Sequence, residues 1–239
     1  LKTELLEKLK SGLIVSCQAF EGEPLYGDGI MVRMANAAVI GGAKAIRTNG
    51  VKDIKQIKEA LDVPVIGIIK KHIEGYSVYI TPTSKEALEV LEAGADIVAL
   101  DCTKRPRPEP LKDIFENIRS NYPNALIMAD IATVEDAEFV SQLSPDFLAT
   151  TLSGYTKETR NRPKPDIELV KILAERFSIP VIAEGNYWEP SQVLEAMKAG
   201  AFAVTIGSAI TRPHLVTARF NKFIQNWTKN KGLSEVQRK

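Results

Sequence analysis

The 239-residue sequence predicts a single (β/α)8, or TIM, barrel of the α/β class, and three observations carry that expectation. Eight short apolar runs alternate with helix-period runs from end to end. Their Ile, Val, Leu and Ala content suits parallel strands covered on both faces. A two-strand, two-helix unit recurs about every fifty residues. Finally, seven of the eight runs close on a polar or charged residue, counting Glu184 just before the last glycine of the seventh, at the barrel face where enzymes of this architecture carry their sites.

Taken in order, the runs are LIVSCQ (13–18), AKAIR (43–47), VIGIIK (65–70), DIVALD (96–101), LIMAD (126–130), FLATT (147–151), VIAEG (181–185) and AVTIG (203–207). Helix-period segments lie between them, such as SKEALEVLEAG (84–94), TVEDAEFVSQL (133–143) and EPSQVLEAMKAG (189–200). Ser84, Thr133 and Ser191 read as helix starts, and Gly94 and Gly200 as stops. Leu1–Lys10 reads as a charged leading helix, and the residues past the last run as a short tail. Residues 1–239 are therefore expected to form one barrel domain.

The repeat supports this reading. GGAKAI (41–46), AGADIV (93–98) and AGAFAV (199–204) each place a glycine, then alanine, then a strand. SPDFLA (144–149) puts Asp146 where the others carry alanine. Ala43, Ala95, Asp146 and Ala201 are 52, 51 and 55 residues apart. Proline introduces the alternate strands, in DVPVIG (62–67), YPNALI (122–127) and SIPVIA (178–183). An open doubly wound sheet is the alternative, but AFEGEPLYGDG (19–29), after the first run, lacks its G-x-G-x-x-G phosphate loop.

Composition narrows the function classes. Lys+Arg totals 31 and Asp+Glu 30, without the basic excess expected of a dedicated nucleic-acid binder. No apolar run approaches the ~20 residues of a membrane span. Two distant cysteines, Cys17 and Cys102, suit free thiols and a cytoplasmic setting. His72 and His214 show no metal spacing, so neither a metal nor a redox cofactor is expected.

The run ends are Gln18, Arg47, Lys70, Asp101, Asp130, Thr151, Glu184 and Gly207–Ser208. One or two polar ends reflect exposure, whereas seven on one rim, with both signs of charge, favour a polar ligand. Lys70 interrupts VIGII at the mouth, as a general base, a Schiff-base nucleophile or a phosphate contact. Glu184 ends a run four strands away, so it faces Lys70 across a ring of eight, an arrangement suited to proton chemistry at one carbon. Asp101 serves either the site or a structural pair with Arg47, Arg105 or Arg107. Gln18 and Arg47 read as ligand holders. The loops after the last two runs, EGN (184–186) and GSAITRP (207–213), occupy the usual phosphate position of such barrels, with Gly185, Asn186, Gly207, Ser208 and Arg212 as contacts. Tyr187 and Trp188 cap that site or serve packing. SGYTKETRNRPKP (153–165) is long enough for a lid.

The motifs VSCQAFEGEPL (15–25), YITPT (79–83), TTLSGYT (150–156), AEGN (183–186) and IGSAITRP (206–213) together resemble the N-acylglucosamine-6-phosphate 2-epimerases, also called N-acetylmannosamine-6-phosphate 2-epimerases. The resemblance spans nearly the whole chain. It implies a (β/α)8 barrel acting on a sugar phosphate in bacterial sialic-acid use, with Lys70 as base and Glu184 as second acid/base group. It implies ligand contacts at Gln18, Arg47, Asp130 and Arg212, to which Thr151 and Tyr155 are added as substrate contacts. It also implies no cofactor and a homodimer, with a small-molecule N-acetylhexosamine 6-phosphate as partner. Ser144–Pro145 and Cys102 depart from the family's usual glycine and small residue, away from the expected chemistry. Two rivals remain at this point: a Schiff-base aldolase using Lys70, and a non-catalytic phosphosugar-binding barrel.

Overall fold

Residues 2–236 are described in the computed structural model, with side chains described to residue 229. Eight parallel strands, β1 Leu13–Cys17, β2 Ala45–Asn49, β3 Val65–Ile68, β4 Ile97–Asp101, β5 Leu126–Asp130, β6 Phe147–Ala149, β7 Val181–Glu184 and β8 Ala203–Ile206, pair in sequence order. β8 returns to β1, where Leu13 pairs with Val204 and Val15 with Ile206, so the sheet closes into a (β/α)8 barrel. The helices are α1 Lys2–Leu9, α2 Ile30–Ile40, α3 Val51–Ala60, α4 Ser84–Glu92, α5 Leu111–Asn121, α6 Val134–Ser141, α7 Ile167–Arg176, α8 Pro190–Lys198, α9 Ser208–Thr211 and α10 Pro213–Val236. Leu1 and residues 237–239, at the ends of the expected domain, lie outside the described residues.

The period-two alternation of each strand sorts its side chains into two cores. Ile14, Ala45, Ile66, Ile68, Ile97, Met128, Phe147 and Ile182 fill the barrel interior, and Leu9 of α1 closes it from below. The opposite parity, including Val15, Ile46, Val65, Val98, Leu148 and Val181, packs outward beneath Ile54, Val90, Ile114 and Leu169 of the helices. Burying each such side chain contributes about 1.5–3 kcal/mol. Gly67, on the outward face of β3, admits no side chain, because a Cβ there would lie 2.6 Å from Val90 and 2.8 Å from Ala95.

Helix boundaries follow local chemistry. Thr133 caps α6 in a capping box with Asp136, as its sequence suggests. α4 starts at Ser84 as expected, with Thr83 as its cap, whereas α8 starts at Pro190 with Glu189 as its cap, one residue ahead of the expected Ser191. Proline at the first helical position is tolerated because its missing N–H has no intrahelical role there. Gly94 and Gly200 follow the helix ends with φ of 96° and 99°.

The repeat needs a one-residue correction. Asp146 N–H donates to the Ile127 carbonyl, just as Asp96 N–H donates to Val65. Asp146 therefore matches Asp96, Lys44 and Phe202, one position after the alanines. Both aspartates also accept a backbone N–H, from Ile127 at 2.9 Å and from Val65 at 2.8 Å.

Candidate active site

The inward parity that builds the apolar interior turns polar toward the C-terminal strand ends. Moving up each strand by two, Ile14 leads to Ser16, Ala45 to Arg47, Met128 to Asp130, Ile182 to Glu184 and Ala203 to Thr205. Arg47 is therefore not at a strand end, as the run AKAIR suggested; β2 continues to Asn49 and Arg47 lies within it, 1% exposed. Its guanidinium crosses the barrel. Nη1 donates to Asp130 Oδ1 and to Glu184 Oε2, each at 3.0 Å, and Nη2 donates to Asp130 Oδ2 at 2.5 Å. Burial opposes the cation, but Asp130 and Glu184 outweigh it and hold Arg47 above its ordinary proton affinity. Thr151, in the short turn after β6, donates to Asp130 at 2.7 Å. Thr150 fixes the Glu184 backbone, donating to its carbonyl at 2.9 Å and accepting its N–H at 3.0 Å.

Lys70 lies two residues past β3, its N–H held by Asn49 Oδ1 at 2.8 Å. The chain then makes an excursion and returns, so that Lys70 and Ile80 form an antiparallel bridge. This return brings Tyr79 beside the lysine. The Lys70 amine sits 4.8 Å from the Phe20 ring centre and 6.0 Å from that of Tyr79. His72 stacks on the far side of the excursion, 5.4 Å from Tyr79. Desolvation, and then the positive charge of Arg47, push the Lys70 ammonium down from 10.5 to about 8. Glu184 moves the other way. Burial raises its carboxyl above the usual range; Arg47 pulls it back and Asp130 adds to the rise. An amine of lowered proton affinity and a carboxyl of raised proton affinity thus share one cavity, the pairing of environments that separates acid from base roles.

That cavity measures about 240 Å³. It gathers Gln18, Arg47, Lys70, Thr151, Tyr155, Glu184, Gly185, Asn186, Gly207, Ser208 and Arg212, all expected from the sequence. Asp130 lies beneath, fully buried against Arg47. Gln18 Oε1, Arg47 Nε, Asn186 Nδ2, Tyr187 Oη and Thr205 Oγ1 are buried without a hydrogen-bond partner among the described residues. Five such atoms on residues lining one cavity point to a polar ligand that would satisfy them.

On the side where the sequence leads one to expect a phosphate, Gly185 (φ 114°) and Asn186 (φ 62°) both take left-handed conformations, which glycine and asparagine tolerate best. Gly207 precedes the one-turn helix α9, whose first N–H groups have no intrahelical partner. The Arg212 guanidinium stands 5.3 Å from the Phe20 ring centre and 3.1 Å from Glu23.

Other expected residues fall elsewhere. Asp101 pairs with Arg105 at 2.6 Å, and its carbonyl accepts from Arg107, so it belongs to the strand-four loop and not to Arg47. Segment 153–165 is cross-tied: Thr159 Oγ1 accepts from Gly154 N–H at 3.0 Å and pairs with Thr156 Oγ1 at 2.8 Å. It presents Tyr155 to the cavity from a fixed turn. Cys17 and Cys102 are buried and free, with burial raising both thiols. Among the described residues, no group of three or more His, Cys, Asp or Glu side chains is arranged to hold a metal, and no helix is long and apolar enough to cross a membrane. Sequence reasoning passed over Ser16, Phe20, Tyr79 and Thr205. Ser16 and Thr205 carried a usable signal, since each interrupts an apolar strand on the inward parity.

Comparison with known proteins places this geometry in a family. Residues 31–226 match the family described as "Putative N-acetylmannosamine-6-phosphate epimerase". A protein from Caldanaerobacter subterraneus subsp. tengcongensis, described as "Putative N-acetylmannosamine-6-phosphate 2-epimerase", is 50% identical over 94% of this chain and 96% of its own length. A Listeria monocytogenes protein of the same description is 47% identical over 95% of this chain and 98% of its own. The solved structure of the N-acetylmannosamine-6-phosphate 2-epimerase from Clostridium perfringens superposes with a TM-score of 0.88 at 44% identity, covering 92% of this chain and 96% of that one. The thiamine phosphate pyrophosphorylase of Pyrococcus furiosus, 22% identical with a TM-score of 0.60, shares the fold alone. With most of its length matched, the chain belongs to the N-acetylmannosamine-6-phosphate epimerase family, a family of carbohydrate isomerases.

Proposed function

We propose that this protein inverts C2 of N-acetylmannosamine 6-phosphate, giving N-acetylglucosamine 6-phosphate, as a cytoplasmic step of sialic-acid and amino-sugar breakdown. The observation that carries the reading is the Lys70 amine, lowered to about 8 and set in a polar cavity beside Glu184. In the open-chain aldehyde, the C2 hydrogen is α to the C1 carbonyl. Neutral Lys70 removes it, leaving an enolate, and its return to the other face inverts the centre. Arg47 and Gln18 supply donors around the developing charge, Thr151 lines the sugar site, and the Asp130 carboxylate, which accepts from Thr151, keeps Arg47 fixed. Gly185, Asn186, Gly207, Ser208 and Arg212 hold the phosphate, and Tyr155 flanks the sugar. Remote binding of this kind keeps the reacting carbon in register. Glu184, with its raised proton affinity, opens the ring, and Lys70 serves both faces after rotation about C2–C3. No cofactor takes part.

A homodimer is part of the same reading. Phe220, Phe223 and Ile224 of α10 are 69%, 80% and 61% exposed on one side of the helix, and a second copy would cover them.

Proton NMR of N-acetylmannosamine 6-phosphate with the protein in heavy water tests the activity. The expected result is loss of the C2 proton signal together with growth of the N-acetylglucosamine 6-phosphate anomeric signals. Binding without exchange would make this a phosphosugar-binding barrel. Borohydride trapping of substrate on Lys70 would instead favour the aldolase, since a lysine of lowered proton affinity also suits Schiff-base chemistry.

A further inference from the structure

The loop after β1 carries a group that the epimerase chemistry leaves unused. Glu23 lies between Phe20 and Arg212. Its Oε2 accepts the Phe20 N–H at 3.0 Å, while the Phe20 carbonyl accepts the Glu23 N–H at 2.9 Å, so the two residues close a tight reciprocal turn. The carboxylate pinned by this turn meets Arg212 Nη2 at 3.1 Å through Oε1 and 3.3 Å through Oε2. The Phe20 ring completes the arrangement, with Arg212 at 5.3 Å and Lys70 at 4.8 Å from its centre. Both partners of the Glu23–Arg212 pair are about a quarter exposed, so the pair is neither buried nor fully screened.

We infer that Glu23 is a built-in anion that occupies Arg212 in the free protein and competes there with the phosphate of the substrate, tuning affinity for phosphorylated sugars. This inference rests on the reading of Arg212 as a phosphate contact. A guanidinium offers five N–H donors, and Glu23 engages a single nitrogen at distances longer than the bidentate pair of Arg47 with Asp130. A phosphate dianion offers a better-matched partner, but it must enter beside a carboxylate that its own turn holds in place. The opposing charge weakens phosphate binding and favours release of phosphorylated product. Were Glu23 only a brace for Arg212, its removal would loosen the arginine and weaken phosphate binding. The two roles therefore differ in the sign of one measurement.

The test is calorimetric titration of the full chain with inorganic phosphate, for the wild type and for Glu23→Gln, Glu21→Gln and Arg212→Met. Glu21→Gln removes the same charge from an exposed position of the same loop. A partly exposed ion pair contributes up to about 1 kcal/mol, so Glu23→Gln should tighten phosphate binding roughly three- to fivefold. Glu21→Gln should leave it within about twofold, and the KM for the phosphorylated sugar should fall in parallel with the phosphate Kd. Unchanged or weaker phosphate binding by folded Glu23→Gln, with binding lost in Arg212→Met, would overturn the competition and leave Arg212 as the phosphate contact. Equal tightening by Glu21→Gln would also overturn it, since the effect would then be one of general charge. Phosphate binding that survives Arg212→Met would overturn the phosphate reading of Arg212 and this inference with it.

Discussion

The two ends of the barrel use the same residue types to opposite purpose. At the N-terminal end, Asp96 and Asp146 each accept a backbone N–H from the preceding strand and pair with a cation on the helix that leads into that strand, Lys58 of α3 at 2.9 Å and Arg119 of α5 at 2.8 Å. Lys2 of α1 joins Asp146 as well. Every partner these carboxylates need is supplied locally, and Leu9 seals the apolar interior above them. At the C-terminal end, one arginine of β2 reaches across the barrel to two carboxylates on β5 and β7, a lysine is partly desolvated, and five buried polar atoms around the cavity have no partner among the described residues. The lesson concerns completeness. A satisfied carboxylate ties strand to helix, whereas an incompletely satisfied cluster holds its proton affinities away from their usual values and leaves valences for a ligand.

Substitutions at the two ends should therefore separate activity from stability. The largest effect is expected at the mouth. Lys70→Ala should lower kcat by about 10²–10⁴-fold, the usual contribution of general acid–base catalysis, with substrate binding largely kept. A loss below roughly tenfold would remove Lys70 from the role of base. Its stability should not fall. An ammonium lowered to about 8 is disfavoured by folding at any pH below its unfolded value near 10.4, and that penalty disappears with the charge.

Next comes Asp146→Ala at the other end, read by urea unfolding. It leaves the Ile127 N–H unpaired inside the barrel wall and takes the carboxylate from Arg119, which keeps its carbonyl partners, and should cost about 2–4 kcal/mol. The folded fraction should keep its turnover. The ordinary carboxylate sits lower here: burial pushes it up, but Lys2 and Arg119 outweigh burial. The stability due to Asp146 is thus present above the unfolded pKa near 3.9 and lost as pH falls through the lower folded value. Asp96→Ala should cost less, about 1–2 kcal/mol, because Asp96 and Lys58 are each about a third exposed. Equal costs at the two sites would mean that burial does not set the strength of this repeated tie.

The smallest effect expected is a shape in the pH profile. Proton removal needs neutral Lys70, so kcat/KM should rise with pH and level off above about 8 in the wild type. A flat profile from pH 6 to 9 would show that Lys70 ionisation does not limit the free enzyme.

Much of the architecture was legible because parallel strands covered on both faces are written as uninterrupted apolar runs, and a polar residue ending such a run stands out. Lys70 and Glu184 were found that way. Arg47 was legible as a site residue but not at its depth, because a charge was read as the end of β2 when it marked the inward face of its middle. Tyr79 owes its place to the return of the chain from Lys70 to Ile80, an isolated bridge that no hydrophobic period encodes. Phe20 sits in a loop where an aromatic side chain reads equally as packing. The kinship of Asp96 and Asp146 was hidden by aligning alanines; backbone hydrogen bonds supply the register that spacing alone left off by one.

The central claim is that Lys70, not Glu184, moves the C2 proton. Exchange of the C2 hydrogen in heavy water, followed by NMR for Lys70→Ala and Glu184→Gln on a substrate presented as the open-chain aldehyde, tests it most directly. The account expects no exchange in either epimer with Lys70→Ala, and continued exchange and epimerisation with Glu184→Gln. Exchange by Glu184→Gln confined to one epimer, with no epimerisation, would make Glu184 the second base and contradict the account.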